Sequence, residues 1–289
     1  MTSPLSELAG RPRPRDDELD LFGITHPGQV RSTNQDHFLL CTVHPQVVVH
    51  GTSLPDVEHI TLRGERVATI MLVADGVGGS VDGSEASRLA TIAVTEYFAS
   101  AMRCYHTVGS ASEHEFTEAL REAAIDAHRR VRAQADAQFD GRSMASTLSV
   151  AIVVWPWLYV VQVGDSRCYT WRDGVLQQVT RDQTIAQELI DRGALSAERA
   201  QNSPLHHVLS SAIGAEEALP VISRVDIGQR GMVTLVCSDG LPKHVSDEEI
   251  GAAIARMTSA EQLCRELVDL VLERGGSDNV TIVVGRALP

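Results

Sequence analysis

The stretch ATIMLVADGVGGS, residues 68–80, decides the fold prediction. Residues 68–74 form an almost uninterrupted apolar run, which predicts a buried β-strand. Asp75 follows this run directly, and the three glycines after it predict a turn. The stretch therefore places a carboxylate at the end of an interior strand, where an isolated charge is unfavourable.

Four further aspartates lie at turns with small or glycine neighbours, most of them beside strand-like residues. They are Asp36 in RSTNQDHF, Asp165 in VVQVGDSRCY, Asp239 in TLVCSDGL and Asp278 in GGSDNVTIVV. One such aspartate alone is best explained as a turn residue whose carboxylate accepts backbone N–H bonds. If the fold brings all five together, each close pair costs roughly 4 kcal/mol at an effective dielectric near 20. Only divalent cations would offset this repulsion, and an all-oxygen shell favours Mg²⁺ or Mn²⁺ over Zn²⁺.

The composition narrows the class of protein. The chain has 289 residues and a formal net charge of -13, from 38 acidic and 25 basic residues. This acidity argues against nucleic acid as the main partner, because phosphate backbones favour basic surfaces; solubility is the plain alternative explanation. The sequence contains no run of about 18 apolar residues, so no membrane span is predicted. The N-terminus lacks the apolar stretch of a secretory signal, and we expect a cytoplasmic protein with structural thiols rather than disulfides.

Hydrophobic periodicity predicts the elements on either side of this stretch. Residues 1–18 lack periodicity and are predicted as a flexible tail, and residues 19–289 as one domain. In the first half of the chain we predict a strand pair within 42–66 with a loose connection at 51–56, and helices at 86–98 and 116–131. Strands and turns follow over 146–180, and a polar segment with helical pieces follows at 181–219. The last predicted elements are a strand at 232–238, helices at 247–257 and 260–275, and a strand at 279–285. This order favours an α+β domain with antiparallel sheets covered by helices.

Five motifs carry a resemblance to a known family. VRSTNQD, VADGVGG, VGDSRCY, SDGL and SDNVTIVV, in this order, resemble the motifs of the metal-dependent protein phosphatase family, the protein phosphatase 2C type, over about residues 20–286. The resemblance implies a four-layer α/β/β/α sandwich of two antiparallel sheets flanked by helix pairs, with a metal site in a cleft between the sheets. Residues 181–219 then occupy the place of the family's flap, which is expected to influence substrate choice; a purely structural insertion is the alternative.

The resemblance also implies site roles. Asp36 is expected to bind one metal ion, and Asp75 is expected to bridge two ions. The backbone carbonyl of Gly76 is a further expected ligand. Asp239 and Asp278 are expected to hold the other ion of the pair, and Asp165 is expected to help bind a third, weaker ion. Arg31 matches the arginine that grips the substrate phosphate, a role suited to its bidentate fork. Asn34 and Asn279 are expected to brace neighbouring loops and carboxylates.

These roles imply an activity. Two Mg²⁺ or Mn²⁺ ions would hold a bridging hydroxide that attacks phosphorus in line, while the ions and Arg31 stabilise charge on the equatorial oxygens. The predicted protein is a metal-dependent phosphatase of phosphorylated Ser/Thr proteins, which opposes a bacterial Ser/Thr kinase and acts as a monomer. The alternatives are an inactive phosphatase-fold binding or regulatory module and a hydrolase of small phosphate esters.

One departure from the family pattern affects proton transfer. Family members of the eukaryotic type carry His at the position of Val77, where it is a proposed general acid, and bacterial members often carry an apolar residue. A metal-bound water is the first candidate for the acid in this chain, with His206 or His207 second. His37 follows Asp36 directly, and strand alternation predicts that its side chain points to the opposite face.

Isosteric replacement of the ligands tests their roles. Asp239→Asn and Asp278→Asn are expected to abolish turnover without preventing folding. Because repulsion between carboxylates would fall, both variants are expected to be more stable than the wild type without metal.

Overall fold

The computed structural model describes residues 12–46, 48–49, 63–77, 81–107, 113–138, 144–201 and 203–289. Residues 1–11 of the predicted tail and the predicted connection at 51–56 lie outside the described residues. Within the described ranges, no helix is both long enough and apolar enough to cross a membrane.

The strands form two antiparallel sheets. In chain order they are β1 (Leu19–His26), β2 (Asp36–Val43), β3 (Ala68–Val77), β4 (Ala145–Ser146), β5 (Leu148–Val154), β6 (Trp157–Val163), β7 (Arg167–Arg172), β8 (Val175–Gln178), β9 (Val221–Asp226), β10 (Val233–Cys237) and β11 (Val280–Ala287). The first sheet has the order β1-β11-β10-β7-β8, and the second has the order β2-β3-β5-β6-β9, with β4 paired to β3. The chain termini of the domain thus meet in the first sheet, where β1 pairs along its whole length with β11.

Two pairs of helices cover the outer faces of the sheets, and two short helices lie in the segment 181–219. They are α1 (Val81–Thr107), α2 (Glu113–Gln138), α3 (Ile185–Asp191), α4 (Ala197–Gln201), α5 (Asp247–Ala255) and α6 (Ala260–Glu273), with 3-10 turns at Asp16–Glu18 and Pro204–His207. Helices α1 and α2 pack on the second sheet, and α5 and α6 pack on the first. Ser246 begins α5 with a capping box, in which its hydroxyl accepts from the Glu249 amide and Glu249 accepts from the Ser246 amide.

The core consists of three apolar clusters, which correspond to the interfaces between four layers. One lies under α1 and α2, and a second lies under α5 and α6. The third fills the space between the sheets, with Met71 and Val73 of β3 facing Val236 of β10 and Val283 of β11. The predicted α/β/β/α sandwich of two antiparallel sheets flanked by helix pairs is confirmed.

Two strands were not predicted. Strand β1 is only half-buried along its length and contains Gly23, beside which the ring of Phe38 packs. Strand β9 is an edge strand with exposed residues, and it follows the polar segment directly. Both sequences lack the strong apolar run that identifies β3, because each side of a peripheral strand is only partly covered by the core.

The last residues of the predicted tail are packed against the domain. Pro14 is buried, and its carbonyl accepts a 2.7 Å hydrogen bond from Nη2 of the buried Arg66. Nη1 of Arg66 donates to Asp16 at 2.5 Å. A buried guanidinium requires such partners, so residues 12–18 complete the surroundings of Arg66.

Candidate metal centre

The five aspartates lie at one edge of the sandwich, between the two sheets. Asp36 begins β2 and is directly opposite Asp75 of β3 in the antiparallel register. Asp165 lies in the turn between β6 and β7, Asp239 follows β10, and Asp278 precedes β11. Four of them, all but Asp36, line a cleft, called the cleft below, whose lining includes Arg31, Asp75, Gly76, Val77, Asp165, His207, Asp239, Lys243 and Asp278.

Asp36 is buried beneath the cleft, with 4% of its surface exposed. Its Oδ2 accepts hydrogen bonds from the hydroxyls of Ser238 and Thr281, both at 2.7 Å. Its Oδ1 is buried and has no hydrogen-bond partner among the described residues. Burial raises the pKa of Asp36 to about 6 and outweighs the two hydroxyl bonds; the charge of Asp239 raises it further. An unpaired buried carboxylate oxygen fits a position that a cation would fill.

Asp75 and Asp165 also ionise with difficulty in the absence of a metal. Burial is the largest cause that raises the pKa of Asp75 well above its ordinary value, followed by the charges of Asp36, Asp239 and Asp165. Burial likewise raises the pKa of Asp165 to about 8, with further contributions from Asp239 and Asp182. Close carboxylates that repel one another in this way are the electrostatic signature of a cation site.

Asp278 has the opposite electrostatic environment. Arg31 donates to it through a fork, from Nε to Oδ1 at 2.8 Å and from Nη2 to Oδ2 at 3.0 Å. Burial raises the pKa of Asp278, but the bonds from Arg31 and Lys243 outweigh burial and lower it overall. The bond to Asp278 is in turn the main cause of the raised pKa of Arg31. The predicted phosphate-binding residue is therefore paired with a predicted metal ligand.

Lys243 belongs to the site, and the motif analysis missed it. Its Nζ lies 2.6 Å from Oδ2 of Asp239 and 2.7 Å from Oδ2 of Asp278. Burial alone would lower its pKa, yet the two carboxylates raise it above the ordinary value, so the ammonium stays charged. A sequence signal was available, because Lys243 is the only lysine in the chain and follows Asp239 by one helical turn.

The carboxylates fit a metal centre once these cations move away. Among the described ranges, no group of three or more Asp, Glu, His or Cys side chains is arranged to hold a metal ion as it stands. In this arrangement Arg31 and Lys243 bind the oxygens of Asp278, and Lys243 also binds Asp239. The expected donors are carboxylates and one backbone carbonyl, which suit a hard divalent cation such as Mg²⁺ or Mn²⁺.

Close backbone packing holds the loops of the site together. Gly240 lies so near the carbonyl of Asn279 that a Cβ at this position would collide with it. Asn279 accepts from the Gln35 amide at 2.9 Å through Oδ1, and its Nδ2 donates to the carbonyls of Pro27 and Thr33. Asn34 accepts from the Asp36 amide at 3.1 Å. The predicted bracing role of both asparagines is confirmed.

The side chains considered for proton transfer differ in their access to the site. Val77 lines the cleft and is 39% exposed, but its side chain cannot donate a proton. His207 lines the cleft, and the ring of His206 packs edge-on against the ring of His207, with the two ring centroids 5.3 Å apart. His37 forms a 2.9 Å hydrogen bond with Ser87 of α1, on the face of β2 away from the cleft, as strand alternation predicts.

The segment 181–219 lies beside the cleft and contains more regular structure than a loop. Helix α3 begins at Thr184, whose hydroxyl accepts from the Gln187 amide at 3.2 Å. Helix α4 and the 3-10 turn Pro204–His207 follow, and this turn brings His207 to the cleft and His206 to a neighbouring hollow. The predicted helical pieces are confirmed.

Comparison with known proteins identifies the family. The model of the protein phosphatase 2C family matches residues 51–272 of this chain. The chain belongs to the protein phosphatase 2C family. The predicted family is thus confirmed, although Asp36 and Asp278 lie outside the matched range.

Serine/threonine protein phosphatase PstP of Mycobacterium tuberculosis is 33% identical over 217 residues, which cover 75% of this chain and 40% of PstP. The chain thus spans well under half the length of that relative.

Other phosphatases of the family give the same result. Serine/threonine phosphatase stp of Listeria monocytogenes is 28% identical over 74% of this chain and 83% of its own length. The crystal structure of M. tuberculosis PstP/Ppp superposes with a TM-score of 0.73 at 27% identity, over 94% of this chain and 99% of that structure. The catalytic domain of PstP in complex with two manganese ions has a TM-score of 0.71 at 27% identity, with the same shares covered. The relatives are named for the activity class that the sequence predicts.

Proposed function

We propose that this chain is a metal-dependent phosphatase of phosphorylated Ser/Thr proteins, and that the cleft is its active site. One observation carries the proposal: four aspartates from separate chain segments line one cleft, and Asp36 is buried beneath it with an oxygen that lacks a partner among the described residues. The likeness to serine/threonine phosphatases, one of them solved with two manganese ions, supports the same conclusion.

The proposed ligands follow from the position of each carboxylate. Asp36 would hold one ion, Asp75 would bridge two, and Asp239 and Asp278 would hold the other. The backbone carbonyl of Gly76 would add a ligand to the pair, and Asp165 would hold a third, weaker ion. When bound, Mg²⁺ or Mn²⁺ supplies Lewis-acid stabilisation of phosphoryl charge and lowers the pKa of water into the neutral range.

Arg31 would bind the substrate phosphate, and two hydroxyls beneath the cleft would orient Asp36. Arg31 presents a planar fork, which suits two parallel hydrogen bonds to phosphate oxygens. Ser238 and Thr281 hold Asp36 in one orientation from beneath, so that its free oxygen faces a fixed direction. Loss of any of these contacts would reduce the precision with which the phosphate and the carboxylates are aligned.

The cellular role extends the proposal. A protein phosphatase of this family acts on substrates that a Ser/Thr kinase has phosphorylated, so we propose that this chain reverses the action of such a kinase. We further propose that it is cytoplasmic and monomeric. The flap-like segment 181–219 would contact the protein substrate, because it contributes His207 to the cleft lining.

The proposal is tested by hydrolysis of p-nitrophenyl phosphate and of phosphothreonine peptides with Mn²⁺ or Mg²⁺, with and without a chelator. The wild type should turn over both only with metal, and Asp239→Asn should lose turnover. Asp269→Asn is the matched control, because this aspartate is exposed on α6 at the outer face. Absence of metal-dependent turnover would favour a regulatory module. Preference for nucleotides or other small esters over phosphopeptides would favour a small-ester hydrolase.

A further inference from the structure

The only lysine of the chain lies inside the cleft rather than on the surface. The side chain of Lys243 is 23% exposed, and its ammonium bridges Asp239 and Asp278. A flexible lysine next to open solvent gains more conformational freedom by extending outward than by folding over a site. Its position is therefore held by the two carboxylates, which it neutralises in part.

Asp278 has no free acceptor position in this arrangement. Its Oδ1 accepts from Nε of Arg31 and from the Asn279 amide at 3.0 Å. Its Oδ2 accepts from Nη2 of Arg31 and from Nζ of Lys243. An ionised carboxylate offers about four lone-pair positions, and all of them are engaged. Asp278 can bind a divalent cation only if it releases at least one of its two cationic partners.

We propose that Lys243 is an internal counter-ion of the metal centre, which a divalent cation displaces and which then binds the phosphate of the substrate. This proposal rests on the proposed function. In the metal-free chain, the ammonium and Arg31 both bind Asp278. When an ion occupies Asp239 and Asp278, Lys243 is released into the cleft, and its ammonium becomes available to a phosphate only at that stage.

The geometry permits this exchange within the cleft. Lys243 has a four-carbon stem with several rotatable bonds, so Nζ can move several ångströms without movement of the backbone. Its backbone is fixed by the hydrogen bond from its amide to the carbonyl of Asp239 at 3.1 Å. The ammonium also faces a second hollow beside the cleft, which is lined by Asp165, Arg167, His206 and Glu248 among others. A released Nζ therefore stays next to the metal centre.

The exchange predicts opposite effects of one substitution on two ligands. Lys243→Met removes the charge and keeps an unbranched side chain. Mn²⁺ should bind the variant more tightly, by about 5- to 150-fold, because no ammonium has to be displaced. Inorganic phosphate should bind the Mn²⁺-loaded variant more weakly, by about tenfold or more, because a charge-assisted bond is lost. A lysine with a purely structural role would weaken both ligands or affect neither.

Isothermal titration calorimetry with MnCl₂, and then with inorganic phosphate on the loaded protein, measures both effects. Arg265→Met is the matched control, because it removes one positive charge from the outer face of α6. Lys243→Arg keeps the charge and should retain both wild-type affinities more closely than Lys243→Met. Circular dichroism verifies that each variant folds. Weaker or unchanged Mn²⁺ binding by folded Lys243→Met would overturn the inference, whereas a wild type that binds no Mn²⁺ would overturn the proposed function itself.

The single lysine also permits a direct observation of the exchange. Reductive methylation with ¹³C-formaldehyde labels only Lys243 and the terminal amine, and it preserves their charge. Titration with the diamagnetic ion Mg²⁺ should shift the Lys243 methyl resonance and leave the terminal resonance unchanged. In Asp278→Asn this shift should be greatly reduced. An unchanged Lys243 resonance in wild-type protein that calorimetry shows to bind Mg²⁺ would contradict the displacement.

Discussion

Arg31 binds Asp278 through two parallel hydrogen bonds, at 2.8 and 3.0 Å. The two residues are 247 positions apart in the sequence, and their proposed roles are different, since one binds the phosphate and the other holds an ion. In the metal-free chain each role blocks the other. The Nε and Nη2 edge of Arg31 is available to a phosphate only after Asp278 has released it, which would couple formation of the two-pronged phosphate contact to metal binding.

Substitution of Arg31 should separate charge from geometry. Arg31→Ala should reduce kcat/KM for phosphopeptides by about 10- to 100-fold, the usual effect of lost charge-assisted hydrogen bonds. Arg31→Lys should recover only a small part, because an ammonium cannot form the two-pronged contact. Steady-state kinetics at saturating Mn²⁺ measures both variants. Full activity of Arg31→Lys would show that charge alone is required.

The contacts of Asp278 revise the expected stability of two ligand variants. Repulsion alone predicts that Asp239→Asn and Asp278→Asn stabilise the metal-free protein, yet both carboxylates are partners of Lys243, and Asp278 also binds Arg31. Asp278→Asn should therefore lower the free energy of unfolding in chelator by about 1–2 kcal/mol, since these groups are partly exposed. Urea denaturation measures the change.

Asp75→Asn should change the free energy of unfolding in chelator in the opposite direction to Asp278→Asn. Burial and the charges of three other aspartates raise the pKa of Asp75, and they outweigh the charge of Lys243, which lowers it. Removal of its charge should raise the metal-free stability by roughly 0.5–2 kcal/mol, the range of ordinary stabilising substitutions. Stability changes of the same sign in Asp75→Asn and Asp278→Asn would contradict this account of the cleft.

The hydroxyls beneath Asp36 provide a test of its role as a ligand. Thr281→Val removes one of the two hydroxyl donors to Oδ2, and the Mn²⁺ affinity should fall about 10- to 100-fold, as is typical when a ligand loses its supporting bond. Thr234→Val is the matched control, because Thr234 is buried near the opposite end of β10. Calorimetric titration with MnCl₂ distinguishes them, and equal affinities for both variants would argue against Asp36 as a ligand.

The sequence predicts the fold where burial is strong and the site where motifs are local. Strand β3 follows from one apolar run, but it continues through Asp75 to Val77 instead of ending in the turn that the sequence predicts at Asp75. Strands β1 and β9 escape prediction, because partial exposure weakens their alternation. The pairing of Lys243 with Asp278 depends on how β10 and β11 come together, and a motif cannot show which carboxylates a cation will reach.

The dependence of the hydrolysis rate on the leaving group should show whether the site has a general acid. Val77 lines the cleft at the position where family members of the eukaryotic type carry a histidine, and it cannot protonate a leaving alcohol. Aryl phosphates, whose leaving groups need little protonation, should therefore be hydrolysed disproportionately well compared with phosphothreonine peptides. Val77→His should narrow the ratio of the two kcat values. A ratio equal to that of histidine-bearing relatives would show that another group already supplies the proton.

The pH dependence of stability should have an unusual sign in the metal-free protein. The pKa of Asp36 is raised from 3.8 to about 6 and that of Asp165 to about 8, so the folded state favours the protonated carboxyls. Their contribution to stability is fully present below about pH 3.8 and is lost as the pH rises through the folded values. The pKa of Asp278 is lowered, so its contribution is lost only below this window. The Tm in chelator should therefore fall between pH 5 and pH 8.

Two comparisons test whether the carboxylates of the cleft cause this fall of the Tm with pH. Saturating Mg²⁺ should remove or reverse it, because the ion binds the deprotonated carboxylates and its affinity rises with pH. Asp165→Asn should reduce the slope between pH 6 and pH 8, to which Asp75 also contributes because its pKa is raised well above its ordinary value. Differential scanning fluorimetry over this range measures all three samples. A Tm in chelator that stays constant from pH 5 to pH 8 would mean that the carboxylates ionise freely, and the electrostatic argument for a cation site would then fail.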